Sequence, residues 1–399
     1  MNVLWIALCA PYDTVPHAGG QNLNYYLKKF LKEDNIHVNF ISFCEAEEIN
    51  KIDLQNFNLD FTIYCEEKEC TKLQRKINNL SMRFQPFQPF ANFLDKYKKI
   101  KIIKKIKKLK SNNYKPDVII LHWTQMVLLV SKIRTFFPSA KYIAIEEDVA
   151  LLGFQRKVNY TKNIFKKGLY YIKFKKLEKK EIEALSYFDL IFVTNKKDQL
   201  LLQQYGINKA IYVLNSYFHN MTKIKRKYNG NRNIIYYGAM NRSENYLSAI
   251  WFIKHVMPLL GFDFTFYVIG NNPPQELKKL ESTNIKITGF VDFVEPFFES
   301  SLCLVAPLVL GAGIKLKIIE ALSAGIPVLT NDIGVEGIDI LHEKEFLFCK
   351  TPEDYCKQIK KLYKNQYLLN TLERNSKNYI NNYFSYEKTY NMFYEKIYR

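Results

Sequence analysis

Lys317 and Glu320 follow the run Gly311-Ala312-Gly313 and precede Gly325. Three residues apart on a helix, a cation and a carboxylate share one face. Glycines ahead of a helix leave its first N–H groups open to an anion, and the positive end of the helix dipole favours negative charge there. A diphosphate fits such a turn, with Gly311, Gly313 and Ile314 as its backbone and Lys317 as the neutralising charge. Glu320, one turn deeper, can accept hydrogen bonds from two vicinal hydroxyls, which is how a ribose is held beside its diphosphate. Leu316 stands where the dinucleotide fingerprint has its third glycine, so NAD is disfavoured.

The elements that position these residues are legible on either side. Leu302–Leu310 is an apolar run that reads as a buried strand, a helix is expected from about Ile314 to Gly325, and Pro327 opens another strand, Val328–Thr330. The same strand, glycine loop and helix sequence occurs twice more. Val3–Cys9 leads to Gly19-Gly20 and a helix over Asn22–Lys32, and Ile234–Tyr237 leads to Gly238 and a loop carrying Arg242. Two other strands end in chemistry-bearing residues: Val118–Leu121 runs into His122, and Tyr142–Ile145 into Glu146-Glu147-Asp148. Ligands of open α/β sheets bind outside the carboxyl ends of strands. His122 is read either as a structural residue or as a ligand contact. Glu147 and Asp148 are read as a general base, as a sugar contact, or as a polar loop.

Residues 302–337 resemble the donor-binding signature of the family 4, or group 1, glycosyltransferases of GT-B fold. The likeness rests on the strand ending in a proline-containing segment, Gly311-x-Gly313, Lys317, Glu320-Ala321, Gly325-x-Pro327-Val328, Gly334 and Gly337. Many members carry two glutamates; here Ala312 replaces the first, so the resemblance is to the Gly-Ala-Gly-Ile-Lys subgroup, and that acid's donor-sugar contacts have no carrier. The resemblance implies two Rossmann-like parallel-sheet domains facing a cleft, an acceptor domain over 1–219 and a donor domain over 220–375, with a last helix over 376–399 packing back on the first. It implies a retaining transfer from a nucleotide-diphosphate sugar to a hydroxyl of a cell-surface glycan or lipid-linked acceptor. Lys317, Arg242 and His122 take catalytic roles in that reading, Gly19 and Gly20 lie across the cleft from the donor, and Gly289 belongs to the base-binding loop Thr288–Val291. No metal or other cofactor is expected: no Asp-x-Asp occurs in the chain, and helix dipoles with Lys and Arg can replace a divalent ion at a diphosphate.

A chain of 399 residues holds two ordinary domains. Its seven cysteines have no metal-ligand spacing and read as cytosolic thiols. Met1–Ala10 is apolar but lacks the basic start of a signal peptide, and no run reaches the roughly 18 apolar residues of a membrane span. The expected location is the cytoplasm, with a peripheral position on the inner membrane face.

The net charge of +19 calls for an anionic partner. Lys96–Lys110 reads as an amphipathic helix whose isoleucines pack on the sheet, while Lys101, Lys104, Lys105 and Lys108 form a basic face suited to an anionic membrane surface. A second lysine-rich helical stretch spans 161–183. Two rival readings are a nucleotide-sugar epimerase of GT-B architecture and a nucleic-acid-binding protein. No recognised binding motif supports the latter, and no nucleic acid is expected.

Overall fold

The computed structural model describes residues 1–83, 94–151, 155, 158, 159, 161, 163–310 and 314–398. The chain divides into two compact units, Met1–Tyr217 with Glu387–Arg399, and Phe218–Tyr386.

The first unit is built on a seven-stranded, all-parallel sheet: β1 (Asn2–Ile6), β2 (His37–Cys44), β3 (Leu59–Cys65), β4 (Val118–His122), β5 (Lys141–Glu146), β6 (Leu190–Val193) and β7 (Ala210–Val213). The spatial order is β3-β2-β1-β4-β5-β6-β7, so the direction of winding reverses between β1 and β4. Strands of this kind are covered on both faces, which is why β4 and β6 read as unbroken apolar runs. On one face the helix Ala18–Phe30 buries Leu23, Tyr26, Leu27 and Phe30, and the helix Tyr386–Tyr398 adds Tyr390, Phe393 and Ile397 to the same core. Phe393 is the hub of that layer, with ring centroids 5.1 Å from Phe192 and 5.4 Å from Tyr26.

The other face is covered by the helices Lys96–Ser111 and Ile164–Ser186. Asp95 caps the former by accepting from the Lys98 N–H at 2.8 Å. Ile102, Ile103, Ile106 and Leu109 are buried, but Ile100, expected on the packed side, is exposed, because it lies at the edge of the apolar arc.

The second unit carries a six-stranded parallel sheet: β8 (Asn233–Tyr237), β9 (Thr265–Ile269), β10 (Ile285–Gly289), β11 (Cys303–Ala306), β12 (Val328–Thr330) and β13 (Leu347–Phe348). Its order is β10-β9-β8-β11-β12-β13, reversing between β8 and β11. β11 is shorter than the apolar run that predicts it, since Pro307 has no N–H to give the ladder. The loop after β8 leads into the helix Ser243–His255, which ends two residues before a short turn of helix, Met257–Leu260, with Pro258 in its first turn. After β13 the chain is helical: Pro352–Lys364, Gln366–Tyr383 and Tyr386–Tyr398. Among the described residues no helix is long and apolar enough to cross a membrane, and all seven cysteines are free thiols.

Candidate active site

The two reversal points are where side chains with chemistry gather, as the rule for open α/β sheets requires. In the second unit the helix Leu316–Ala324 follows β11, and Gly325 closes it in the left-handed conformation, φ +77°. Ile318, Ile319 and Leu322 anchor it in the core. Lys315 occupies the N-cap, its carbonyl accepting from the Ile318 N–H at 2.8 Å, and a lysine side chain offers no acceptor to the first-turn N–H groups. Gly311 and Gly313 lie outside the described residues. Ile314, just before the helix, packs against the core of the unit.

Lys317 is aimed at the end of β8. Its Nζ donates to Asn245 Oδ1 at 2.6 Å and to Tyr236 Oη at 3.2 Å, and lies 4.5 Å from the Tyr236 ring centroid. Asn245 is fixed in turn by donating Nδ2 to Ala239 O at 2.8 Å. Burial, and next the Arg242 guanidinium, pull the Lys317 ammonium down from 10.5 to about 7, against an opposing pull from Glu244. Arg242 is at the N-cap of the helix Ser243–His255 and pairs with Glu244, its side chain mostly exposed.

Glu320 follows one turn on. Its carboxylate accepts from the Tyr237 hydroxyl and, at 3.2 Å, from the His219 N–H. Burial raises it from 4.5 to about 7, partly offset by the His219 N–H. The two residues that the sequence pattern pairs are therefore both displaced toward neutrality, from opposite sides.

Glycines allow the strand ends around them to close up. Gly270, at φ +147°, sits so near β8 that an added Cβ would be 1.8 Å from Gly238 O. Gly238, at φ +153°, would bring a Cβ to 2.8 Å from Lys317 Nζ. Gly238 N–H donates to Ile269 O at 3.0 Å and Gly270 N–H to Gly289 O at 2.9 Å, tying the ends of β8, β9 and β10 together. Gly289, at φ +70°, has open space where a side chain would stand.

In the first unit Gly19 and Gly20 lie inside the first turn of the helix Ala18–Phe30, capped by His17, whose Nδ1 accepts from the Gly20 N–H at 3.0 Å. That helix starts before the expected Asn22, because His17 supplies the cap. His122 is fully buried at the end of β4, and its Nε2 meets Glu147 Oε1 at 2.7 Å. Asn22 donates to the other Glu147 oxygen at 2.6 Å. The His122 Nδ1 is buried and has no hydrogen-bond partner among the described residues. Trp123 stacks on the imidazole, ring centroids 4.3 Å apart, from a backbone at φ +77° that a bulky residue rarely adopts. Its ring crosses Gly19 so closely that a Cβ there would be 2.9 Å from Trp123 Cζ2. Asp148 is exposed. Glu146 points inward instead: it accepts from Thr124 Oγ1 at 2.6 Å, and burial, then the nearby Glu181 carboxylate, push it well above the usual range.

Tyr236, Tyr237, Asn245, Asn22 and Trp123 were not legible as site residues. The available signal was Tyr236-Tyr237 standing directly before Gly238, two hydroxyl-bearing rings at a strand end. Among the described residues no group of three or more His, Cys, Asp or Glu is placed to hold a metal.

Comparison with known proteins places these features in context. Residues 231–365, which carry Lys317 and Glu320 with their partners Asn245, Tyr236 and Tyr237, match the family model described as glycosyl transferases group 1. An uncharacterized 44.6 kDa protein in the cps region of Klebsiella pneumoniae is 24% identical over 270 residues, 62% of this chain and 67% of that protein. HepE of Anabaena, solved in complex with UDP, superposes with a TM-score of 0.67 over 99% of both chains at 10% identity. Sucrose-phosphate synthase of Thermosynechococcus elongatus gives 0.66 over 100% of this chain and 99% of that one at 13% identity. TarM of S. aureus, in a complex that includes UDP, gives 0.63 over 99% of each at 12% identity. The fold is GT-B: two parallel sheets with helices, as these glycosyltransferase structures have.

Proposed function

We propose that this protein is a retaining, metal-independent glycosyltransferase, which moves a sugar from a nucleotide-diphosphate sugar to a hydroxyl of a cell-surface glycan or lipid-linked acceptor. The observation that carries the reading is the pair Lys317 and Glu320 on one helix face at the reversal point of the second sheet, within the segment matched to glycosyl transferases group 1. The diphosphate binds the first turn of the helix and Lys317, while the Glu320 carboxylate accepts from the ribose hydroxyls. The UDP bound by HepE and by TarM supports testing a uridine nucleotide first.

In this reading the acceptor oxygen forms a bond to the anomeric carbon as the bond from that carbon to the β-phosphate oxygen breaks. The acceptor proton passes to the departing diphosphate. Negative charge grows on that diphosphate, and a cation held in place beforehand stabilises it without reorganisation. Lys317 is held so by Asn245 and Tyr236, and Arg242 stands at the start of the neighbouring helix. Gly311, Gly313, Ile314 and Gly289 are assigned to the donor. Gly19, Gly20, His122, Glu147 and Asp148 are assigned to the sugar and acceptor side, with Glu147 orienting His122.

The test is a thermal-shift panel of UDP, GDP, ADP and CMP with excess EDTA, on the wild type and on Glu320→Ala. A ligand at about 100 times its dissociation constant adds about 2.7 kcal/mol. One nucleotide should stabilise the wild type and lose its effect in the variant. If none shifts the wild type, the nucleotide site is wrong.

A further inference from the structure

The helix Ile164–Ser186 is apolar on two opposite sides, and the fold uses only one. Phe174, Leu177 and Leu185 are buried in the first unit's core. Phe165, Leu169 and Ile172 follow one another at intervals of four and three residues and so share the opposite side. There Phe165 is 90% exposed, Leu169 43% and Ile172 49%, with Ile164 beside them at 82%. Single apolar residues on a surface need no explanation, but a row of them at helical spacing marks a surface that meets something.

Charge identifies what it meets. From Ile164 to Leu177 the helix carries five lysines and no acidic residue: Lys166, Lys167 and Lys175 are exposed and Lys176 half-buried, Lys175 pairs with Glu178 at 2.7 Å just beyond this stretch, and Lys173 is buried. Continued at the same spacing, the apolar row runs into Lys176 and Lys179. Large apolar side chains at the tip with lysines behind them are what a helix needs to enter the acyl boundary of a bilayer while its ammonium groups reach phosphates. A second copy of the chain would instead set lysine rows against lysine rows.

We infer that the first half of this helix is a docking element for an anionic lipid surface. The helix Lys96–Ser111 plays a lesser part: Ile102, Ile103 and Ile106 are buried, and Lys101 is paired with Glu69. It adds positive charge without an apolar row. The inference is independent of the glycosyl-transfer reading, since it is read by binding alone.

The whole chain is sedimented with phosphatidylcholine vesicles, and with vesicles in which about 30 % of the lipid is phosphatidylglycerol, at low and raised salt. Co-sedimentation with the anionic vesicles only, weakened by salt, is the expected result. The triple variant Phe165→Ser, Leu169→Ser, Ile172→Ser should keep its melting curve, since all three side chains are solvent-exposed, and bind at least about tenfold more weakly. Lys166→Glu with Lys167→Glu, which leaves the apolar row intact, should weaken binding similarly. Lys104→Ala with Lys108→Ala should change it by no more than about threefold. The inference is overturned if the wild type ignores anionic vesicles, binds neutral ones equally, or binds no better than the triple variant. It is also overturned if light scattering shows a dimer that the triple variant dissolves.

Discussion

Replacing Glu320 by Gln separates the cost of the site from its use. The carboxylate accepts from the His219 N–H and the Tyr237 hydroxyl. A glutamine can keep both contacts, its oxygen accepting from His219 and its amide donating to a rotated Tyr237 hydroxyl. What disappears is a buried group raised from 4.5 to about 7. A group whose folded-state value is raised gives its full stability below the unfolded value, and that contribution is lost as pH climbs through the folded one. The wild type therefore loses stability relative to Glu320→Gln between pH 4.5 and 7. At about 1.4 kcal/mol per factor of ten the full difference is about 3 kcal/mol. For a unit of this size each kcal/mol is roughly 2–4 °C in Tm. Calorimetry should show near-equal melting at pH 4.5 and a variant more stable by several degrees at pH 8. The same variant should bind the nucleotide about tenfold more weakly, because a charged acceptor is replaced by a neutral one. A stability gain of the same size at both pH values refutes the buried-acid argument; undiminished nucleotide binding refutes the ribose assignment.

Lys317, lowered to about 7 by burial, must be protonated to hold a diphosphate, so nucleotide binding takes up a proton above neutral pH. The dissociation constant should rise about tenfold per pH unit above 7 until the lysine's value in the complex is reached, and the slope should vanish in Lys317→Met; titration calorimetry in buffers of different ionisation enthalpy measures the uptake. Gly270→Ala, which puts a Cβ 1.8 Å from Gly238 O, should cost at least about 3 kcal/mol by urea unfolding. Gly206→Ala, at φ +77° in open space, should cost only about 1–2 kcal/mol; equal losses would mean that the approach of Gly270 to Gly238, at the ends of β9 and β8, is not tight. Sugar transfer and nucleotide binding should both survive excess EDTA, and restoration by added magnesium after their loss would end the metal-independent reading.

The strands, and the strand ends at which the candidate site residues stand, were legible because parallel strands are apolar runs and the glycines that end them are few. Partners distant in sequence were not. Nothing local shows that Lys317 finds Asn245 and Tyr236, since only the neighbouring positions of β8 and β11 in the sheet bring them together. Likewise His122 was placed at a strand end, yet its meeting with Glu147 depends on β4 and β5 lying side by side. The two lysine-rich helices show the converse limit. Both alternate Lys with apolar residues, but one sinks Ile102, Ile103 and Ile106 into the core, whereas the other has apolar residues left over on its far side. Composition cannot distinguish them, because the difference lies in which arc the sheet covers.

The energetics of the helix Leu316–Ala324 give a reason to read Lys317 and Glu320 as functional. Its apolar residues Ile318, Ile319, Ala321, Leu322 and Ala324 are those of an ordinary buried helix. Burial disfavours the charged form of both ionisable residues, lowering the lysine and raising the glutamate, so each makes folding harder near neutral pH. An ion pair between them would offset this, yet Lys317 turns to Asn245 and Tyr236 while Glu320 turns to Tyr237 and His219. Two apolar residues in their places would fold at least as well. A helix that instead keeps a cation and a carboxylate apart, each held in place by neutral partners, is arranged for a ligand with an anionic end and a hydroxyl-bearing end. A nucleoside diphosphate has both.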